Sequence, residues 1–334
     1  MNRIIKIVYL LLKNNILMLF FGLFLLSAIN GCKLKSTEKC GPSFYIWQNN
    51  ISLSDKKKQY LQEITSPVLY IKYLEIYNNT YLYTNLHDVS FDSIIPVVRI
   101  DNQFLENNES NAERCIKIFD KLNEFHQNHF HKKLSCIQID CDYSDKNKEV
   151  YQLLIDGLKN NFHLNVQITL NLYRVANTVV IPKADKYYIM LYDFHQHDGI
   201  KIYNEAAMLF FKKDLIVFPY DHAYVLPVFS RCAIVSNNSY SFNYTISRDD
   251  IQYNANIVYE GEDKYFVDND TKIGEEFLAK NSRIEFQEIT IDKLENYTEY
   301  IKSIKNKYVS EVVYFSLNES VMKKFPSSEL SILK

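Results

Sequence analysis

From Phe44 onward the chain alternates short apolar runs with longer segments whose apolar residues recur at helical spacing. Phe44 to Gln48, Val68 to Ile76 (after Pro67) and Ser93 to Asp101 read as strands, and Ser54 to Ile64 as a helix with Ser54 as its N-cap. Asn111 to about His129 is a second helix, because Ala112, Cys115, Ile116, Phe119, Leu122 and Phe125 fall on one face at a period near 3.6. Strand Leu134 to Asp142, a helix from about Lys146 to Phe162, strand Asn165 to Tyr173, strand Lys186 to Phe194 and helix Tyr203 to Lys212 follow. Leu215 to Phe218 and Tyr224 to Val235 are again strand-like. Strands separated by helices imply right-handed βαβ units and a parallel sheet. Between Phe44 and Val235 there are about six to eight such strands, close to the eight of a closed (β/α)8 barrel. The expected fold is therefore α/β, a TIM-type barrel.

The two ends of the chain depart from that rhythm. Residues 237–270 are polar, rich in Asn, Asp and Tyr, and alternate like antiparallel hairpins, which predicts a small β-rich insertion near the C-terminal end of the barrel. A helix at Lys272 to Ala279, a strand at Ile284 to Ile289, a helix at Asp292 to Lys305 and a closing strand at Glu311 to Leu317 complete the reading. At the other end, basic Arg3, Lys6 and Lys13 accompany the apolar runs Ile4 to Leu12 and Ile16 to Ile29, and small residues precede Cys32. This pattern resembles a bacterial lipoprotein signal, which implies that residues 1–31 are removed and Cys32 is lipidated. Residues 32–43 would be a tether and residues 44–334 the barrel. The resemblance implies an exported protein held on a membrane of the cell envelope by acyl chains rather than by a spanning helix.

A formal net charge of -2 with interspersed signs leaves no basic stripe for nucleic acid. The 26 tyrosines offer aromatic faces of the kind sugar clefts use. Beyond Cys32 the cysteines are Cys40, Cys115, Cys136, Cys141 and Cys232, with no C-x-x-C spacing, so no structural zinc site is expected. No glycine-rich phosphate loop or G-x-S-x-G elbow occurs, so no cofactor is expected.

Candidate chemistry centres on Ser135 to Ser144, S-C-I-Q-I-D-C-D-Y-S, where Asp140 and Asp142 share one face at the end of a strand. Carboxylates at the carboxyl end of a parallel strand stand where barrel enzymes keep their chemistry, and two so close would repel each other. Asp140-Cys141-Asp142-Tyr143-Ser144 resembles the fourth-strand motif D-x-x-D-x-D-x-E of family-18 glycoside hydrolases, the chitinases and their relatives. Met190-Leu191-Tyr192-Asp193 resembles that family's sixth-strand M-x-Y-D. The wider chain, with Phe44-Tyr45-Ile46-Trp47-Gln48 and Leu69 to Glu75, also resembles a group of bacterial lipoproteins with a barrel of this kind. The resemblance implies a glycan ligand, with an N-acetylated sugar held by Tyr192 and Asp193 and a charged intermediate stabilised by Asp140 and Asp142. The family's first motif Asp falls on Ile137, however, and its proton-donating Glu falls on Ser144, whose hydroxyl cannot serve as a tuned carboxylic acid.

Further polar groups at predicted strand ends are candidates for substrate binding: Glu75, Arg99, Asp101, Asn171, Tyr173 and Asp221. Glu75, Asp101, Asp193 and Asp221 are also candidates for the carboxylate that would replace the missing proton donor, with Glu149 a weaker one, and Trp47 reads as core. Three functional classes stay open: a glycosidase, a non-catalytic glycan- or protein-binding lipoprotein, and a metal-dependent hydrolase built on His195, His197 and a carboxylate. Asp221 beside His222 could be an acid/base pair or a turn.

Overall fold

The structure is a computed structural model and describes residues 41–330, apart from 78–79, 107–109, 177–180, 193–211, 237–238, 244–245, 247, 262 and 275. Eight strands run parallel: β1 (Ser43–Ile46), β2 (Leu69–Tyr77), β3 (Ile94–Ile100), β4 (Cys136–Cys141), β5 (Asn165–Asn171), β6 (Lys186–Met190), β7 (His222–Pro227) and β8 (Val309–Phe315). They hydrogen-bond in sequence order, and β1 pairs with both β2 and β8, so the sheet closes on itself. Helices α1 (Asp55–Ile64), α2 (Asn111–Phe130), α3 (Lys148–Phe162) and α4 (Ile291–Ile304) lie between strands along the chain. No helix among the described residues is long and apolar enough to cross a membrane.

Alternation along each strand sorts the two layers of the core. On β4, Ile137, Ile139 and Cys141 join the cluster packed against the helices, whereas Gln138 and Asp140 belong to the opposite, inward face. The barrel interior is aromatic and hydrogen-bonded. The Tyr70 and Tyr188 hydroxyls, 2.6 Å apart, converge on Glu311 Oε1 at 2.9 and 3.1 Å, and Ser43 Oγ donates to Glu311 Oε2. Burial first, then the Glu311 charge, holds the Tyr70 phenol well above its usual pKa, so it stays a neutral donor. Above this layer Tyr45 donates to Gln138 Oε1 at 2.6 Å.

Between β7 and β8 the chain builds a five-stranded antiparallel sheet, in the order Ser239–Asn243, Arg231–Ser236, Arg283–Gln287, Lys264–Val267 and Ile257–Gly261. It has its own small core, including Cys232, Ile234, Val267 and Ile284. Its strands reach beyond the 237–270 segment expected to be β-rich, and it takes in the strand expected at Ile284. Three expectations are corrected here. Lys272 to Ala279 is not a helix but a hairpin, Thr271–Ile273 paired with Glu276–Leu278, because Gly274 at φ +57° makes the tight turn. Leu215 to Phe218 is not a strand: residues 212–217 are helical, and the buried pair Leu215 and Phe218 is spaced three apart while Ile216 and Val217 face out. Tyr224 to Val235 is two strands, one in the barrel and one in the small sheet, parted after Pro227.

The helical layer contains a close approach that makes a testable prediction. On α3, a Cβ added to Gly157 would lie 2.4 Å from Cys115 Sγ of α2. A mid-helix Gly→Ala change ordinarily stabilises by about 1 kcal/mol, but here overpacking reverses the sign, and Gly157→Ala should destabilise by about 1–3 kcal/mol. With Cys115→Ala as background the obstructing sulfur is gone and Gly157→Ala should become neutral or stabilising. Urea unfolding of the four proteins of this cycle checks the prediction.

Candidate functional site

The C-terminal ends of the barrel strands open into a cavity of about 540 Å³. Register places its charged groups. Glu75 on β2 is level with Arg99 on β3, and Arg99 with Asp140 on β4, so an acid–base–acid row crosses three neighbouring strands. Arg99 Nη1 donates to Asp140 Oδ2 at 2.8 Å and Nη2 to Asp142 Oδ2 at 2.9 Å. Asp140 is nearly buried and also accepts from Thr169 Oγ1 of β5 at 2.5 Å, whereas Asp142, just past the strand, is half-exposed. The two aspartates do share a face, but they are not a bare like-charge dyad, because a guanidinium lies between them. Asp140's charge, opposed by burial and joined by Asp142, raises the pKa of Arg99 above its ordinary value, so the cluster keeps its cation. Glu75 is likewise bonded to Lys72 Nζ at 2.9 Å, which in turn donates to Asn49 Oδ1. The three carboxylates among the described lining residues each accept a hydrogen bond from a cation.

A second polar group continues the ring. Asn171, at the end of β5, accepts from the Arg174 N–H at 2.9 Å, and the Arg174 guanidinium bonds Asp145 and the Tyr143 carbonyl at 2.7 and 2.6 Å while lying over the Tyr143 ring. The opposite wall is aromatic. Phe315, ending β8, stands 5.3 Å from Trp47, 5.4 Å from Tyr45, 5.5 Å from Tyr192 and 5.9 Å from Phe229, ring centre to ring centre. Ring pairs at these distances sit in the favourable range for aromatic contact. Such a cavity offers flat apolar faces beside fixed hydrogen-bonding groups.

No protein-family model matches this chain, and no curated protein matches it either. Solved structures do match. The spore cortex-lytic enzyme SleL of Bacillus megaterium superposes with a TM-score of 0.53 at 10% identity, over 90% of this chain and 74% of that one. The shared fold is the closed parallel (β/α)8 barrel. SleL of Bacillus cereus (TM-score 0.48, 13% identity, 90% and 75% covered) and a GH18 chitinase of Pseudoalteromonas aurantia (0.46, 10%, 88% and 100%) are also similar. At these identities the likeness is one of fold.

At the mouth of this barrel, Asp140, Asp142, Tyr192, Glu75, Arg99 and Asn171 come together in one cavity. Asp101 does not line it; its Oδ1 accepts from the Phe104 N–H at 2.9 Å and organises the turn into the short helix Asn102–Glu106. Asp221 is corrected more sharply. It is exposed at the amino end of β7, the opposite rim of the barrel, because the preceding segment is helical and Pro219 to Asp221 forms the entry into β7 rather than the exit of a strand. Tyr173 lies on the short helix Leu172–Ala176 rather than at the end of a strand, and Glu149 is exposed on α3. Ser144 is not among the described lining residues, and its N–H donates to Asn147 Oδ1 at 2.7 Å. Asp193, His195, His197 and Cys32 lie outside the described residues. No group of three metal-ligating side chains exists among the described residues.

Sequence reasoning missed Trp47, which lines the cavity instead of filling the core, and Thr169, Arg174, Phe229 and Phe315. Trp47 directly follows a strand residue whose neighbours alternate inward, a signal that it belongs to the mouth. Thr169 and Phe315 needed the register of neighbouring strands to be found.

The electrostatic arrangement predicts its own cost. Arg99→Gln leaves Asp140 nearly buried without its cation, and should destabilise by about 2–4 kcal/mol, a buried-pair loss discounted for the partial exposure of Arg99. Adding Asp140→Asn removes the stranded charge and should recover more than half of that loss in denaturant unfolding.

Proposed function

We propose that this barrel is an exported, lipid-anchored glycan-binding protein of the bacterial cell envelope whose cavity holds an N-acetylated glycan without cutting it. The aromatic wall of Trp47, Tyr192, Phe229 and Phe315 beside the ion-paired row of Glu75, Arg99 and Asp140 is the observation that carries the reading. Flat rings stack on the apolar faces of sugar rings, and fixed donors and acceptors meet the hydroxyl and acetamido groups between them. The fold likeness to the spore cortex-lytic enzyme SleL and the M-x-Y-D resemblance at Met190 to Asp193 support a glycan as the ligand.

The described carboxylates support binding without hydrolysis. Glycoside cleavage of either stereochemistry needs one carboxylic acid to protonate the leaving oxygen. The motif resemblance puts that acid at Ser144, and among the described residues Glu75, Asp140 and Asp142 are each bonded to a cation. Anchoring is supported by the small residues before Cys32 and the apolar run preceding them.

Calorimetric titration with chitohexaose, followed by mass spectrometry of the recovered sugar, tests the reading. Saturable binding with no shorter oligomers is expected, and Trp47→Ala should weaken it about tenfold or more, as removal of a central aromatic contact does. Shortened products would make the protein a hydrolase, and absence of binding would remove the glycan. Separately, Cys32→Ser should abolish incorporation of a labelled fatty acid and shift the protein from the membrane fraction to the soluble one.

A further inference from the structure

The amino ends of the barrel strands form a face opposite the mouth, and its charge differs from that of the barrel as a whole. In residues 41–334 acidic side chains outnumber basic ones. Along the arc of this rim from β4 round to β8 the balance is reversed. Lys132 and Lys133 precede β4, Lys183 precedes β6, Lys305 and Lys307 precede β8, and Lys302 lies in the last turn of α4. All six are exposed, and none forms an ion pair with a described carboxylate. The opposing charges on the arc are Asp185, Asp214 and Asp221. Asp185 is already held by Lys159 Nζ at 2.7 Å and by the Val166 N–H at 2.8 Å, and Asp214 is half-buried. Lys186 and Glu311, just inside the rim, bond each other.

The same arc exposes apolar side chains. Ile216 and Val217, on the helical residues 212–217, face out, Val217 at 72%, and Tyr220 and Tyr308 are nearly half-exposed. Hydrogen bonds bring them together. Asn306 Nδ2 donates to the Leu215 and Phe218 carbonyls at 2.7 and 2.9 Å, and the His222 N–H donates to the Tyr308 carbonyl at 3.0 Å. The approach to β8 therefore lies against the approach to β7. Lys307 Nζ stands 5.0 Å from the centre of the Tyr308 ring, and Tyr220 packs on Tyr187 and Phe218. Aliphatic tips and tyrosines bordered by lysines match an anionic lipid surface. Tyrosine favours the boundary between headgroups and acyl chains, and lysine is drawn to the headgroup charge.

The chain also enters the barrel at this rim. The Gly41 N–H donates to the Thr65 carbonyl at 3.1 Å just before β1, and β1 pairs with β8. Residues 33–40 carry Lys33, Lys35 and Lys39 against Glu38. Extended chain from Cys32 to Gly41 spans at most about 30 Å, so a lipid on Cys32 would keep the rim close to the bilayer.

We propose that the amino-end arc from β4 to β8 is a docking surface for anionic membrane lipid headgroups, so that the cavity mouth faces away from the bilayer. The inference rests on the lipid-anchored reading and adds to it the face of the barrel that meets the membrane. Parallel strands put the rim and the mouth at opposite ends of the barrel, so Trp47 stands a strand's length from the lipid. A ligand then reaches the mouth from the side remote from the membrane.

The test uses protein isolated from membranes and reconstituted into vesicles of phosphatidylcholine and phosphatidylglycerol that include a lipid with a nitroxide on its headgroup. Tryptophan emission is compared in the unaltered protein, in Trp47→Phe/Tyr308→Trp and in Trp47→Phe/Val217→Trp, with circular dichroism showing that the fold is kept. Both double variants should lose emission to the nitroxide, whereas Trp47 of the unaltered protein should not. The loss should shrink in high salt and in vesicles of phosphatidylcholine alone. It should also shrink when Lys132, Lys133, Lys305 and Lys307 are together changed to Gln, although the protein still floats with the vesicles. Loss of Trp47 emission equal to that of the two variants overturns the inference, because the barrel then has no preferred face. Flotation with no loss in either variant overturns it too and leaves the anchored reading intact, the barrel hanging free on its tether. A loss that is unchanged by salt, by lipid charge and by the four substitutions overturns the assignment to anionic headgroups. If the protein does not float with the vesicles, the anchored reading fails and this inference fails with it.

Discussion

The molecule closes on a strand of four residues. β1 meets β2 on one side, with Phe44, Tyr45 and Ile46 level with Leu69, Tyr70 and Ile71, and β8 on the other, with Ser43 and Phe44 level with Val313 and Tyr314. That closure joins residues more than two hundred apart in sequence, and everything at the mouth depends on it. Without it Tyr45 and Trp47 would not stand against Phe315, and Ser43 would not reach Glu311. Interior hydrogen bonds fix the alignment below the mouth: Tyr70 and Tyr188 on Glu311, and Tyr45 on Gln138. Buried polar groups so paired specify one register, because a slip would leave several of them without partners.

The strand ends then divide the mouth into two chemistries. One half is a charged row held in place by register, with Arg99 joining Asp140 and Asp142 and Lys72 holding Glu75. The other half is a set of rings around Phe315. Fixing the charges in pairs makes the row a rigid set of hydrogen-bonding positions, which suits recognition more than proton transfer. Beside the rings, Phe286 of the small sheet, Arg248 on the short helix Arg248–Gln252 and Glu288 just after the strand Arg283–Gln287 line a second cavity that shares Trp47, Phe229 and Phe315.

The barrel was legible because its signal is redundant: each strand–helix unit repeats the same change of period, and Asn111 to Phe130 or Lys148 to Phe162 could be read almost to the residue. Errors arose where one period imitates another. Leu215 to Phe218 is an apolar run short enough for either element, and only the exposure of Ile216 and Val217 marks it as helical. The reading of Asp221 failed as a direct consequence, since a residue after a helix sits at the opposite end of the barrel from one after a strand. In the site, Asp140, Asp142 and Arg99 were recognised as chemistry-bearing, but their connection was not, because it depends on which residues of β3 and β4 lie level. The aromatic wall was hidden for the same reason: Trp47 and Phe315 meet only once the first and last strands pair.

Trp47 is the single tryptophan of the chain and lines the barrel cavity and the one beside it, so its fluorescence reports on a ligand at that aromatic mouth. Titration of the protein with chitohexaose while recording that emission tests directly whether the barrel mouth is the binding site. The account predicts a saturable change in Trp47 emission with the same midpoint as the calorimetric binding curve. Binding detected by calorimetry with Trp47 emission unchanged would place the ligand elsewhere and contradict it.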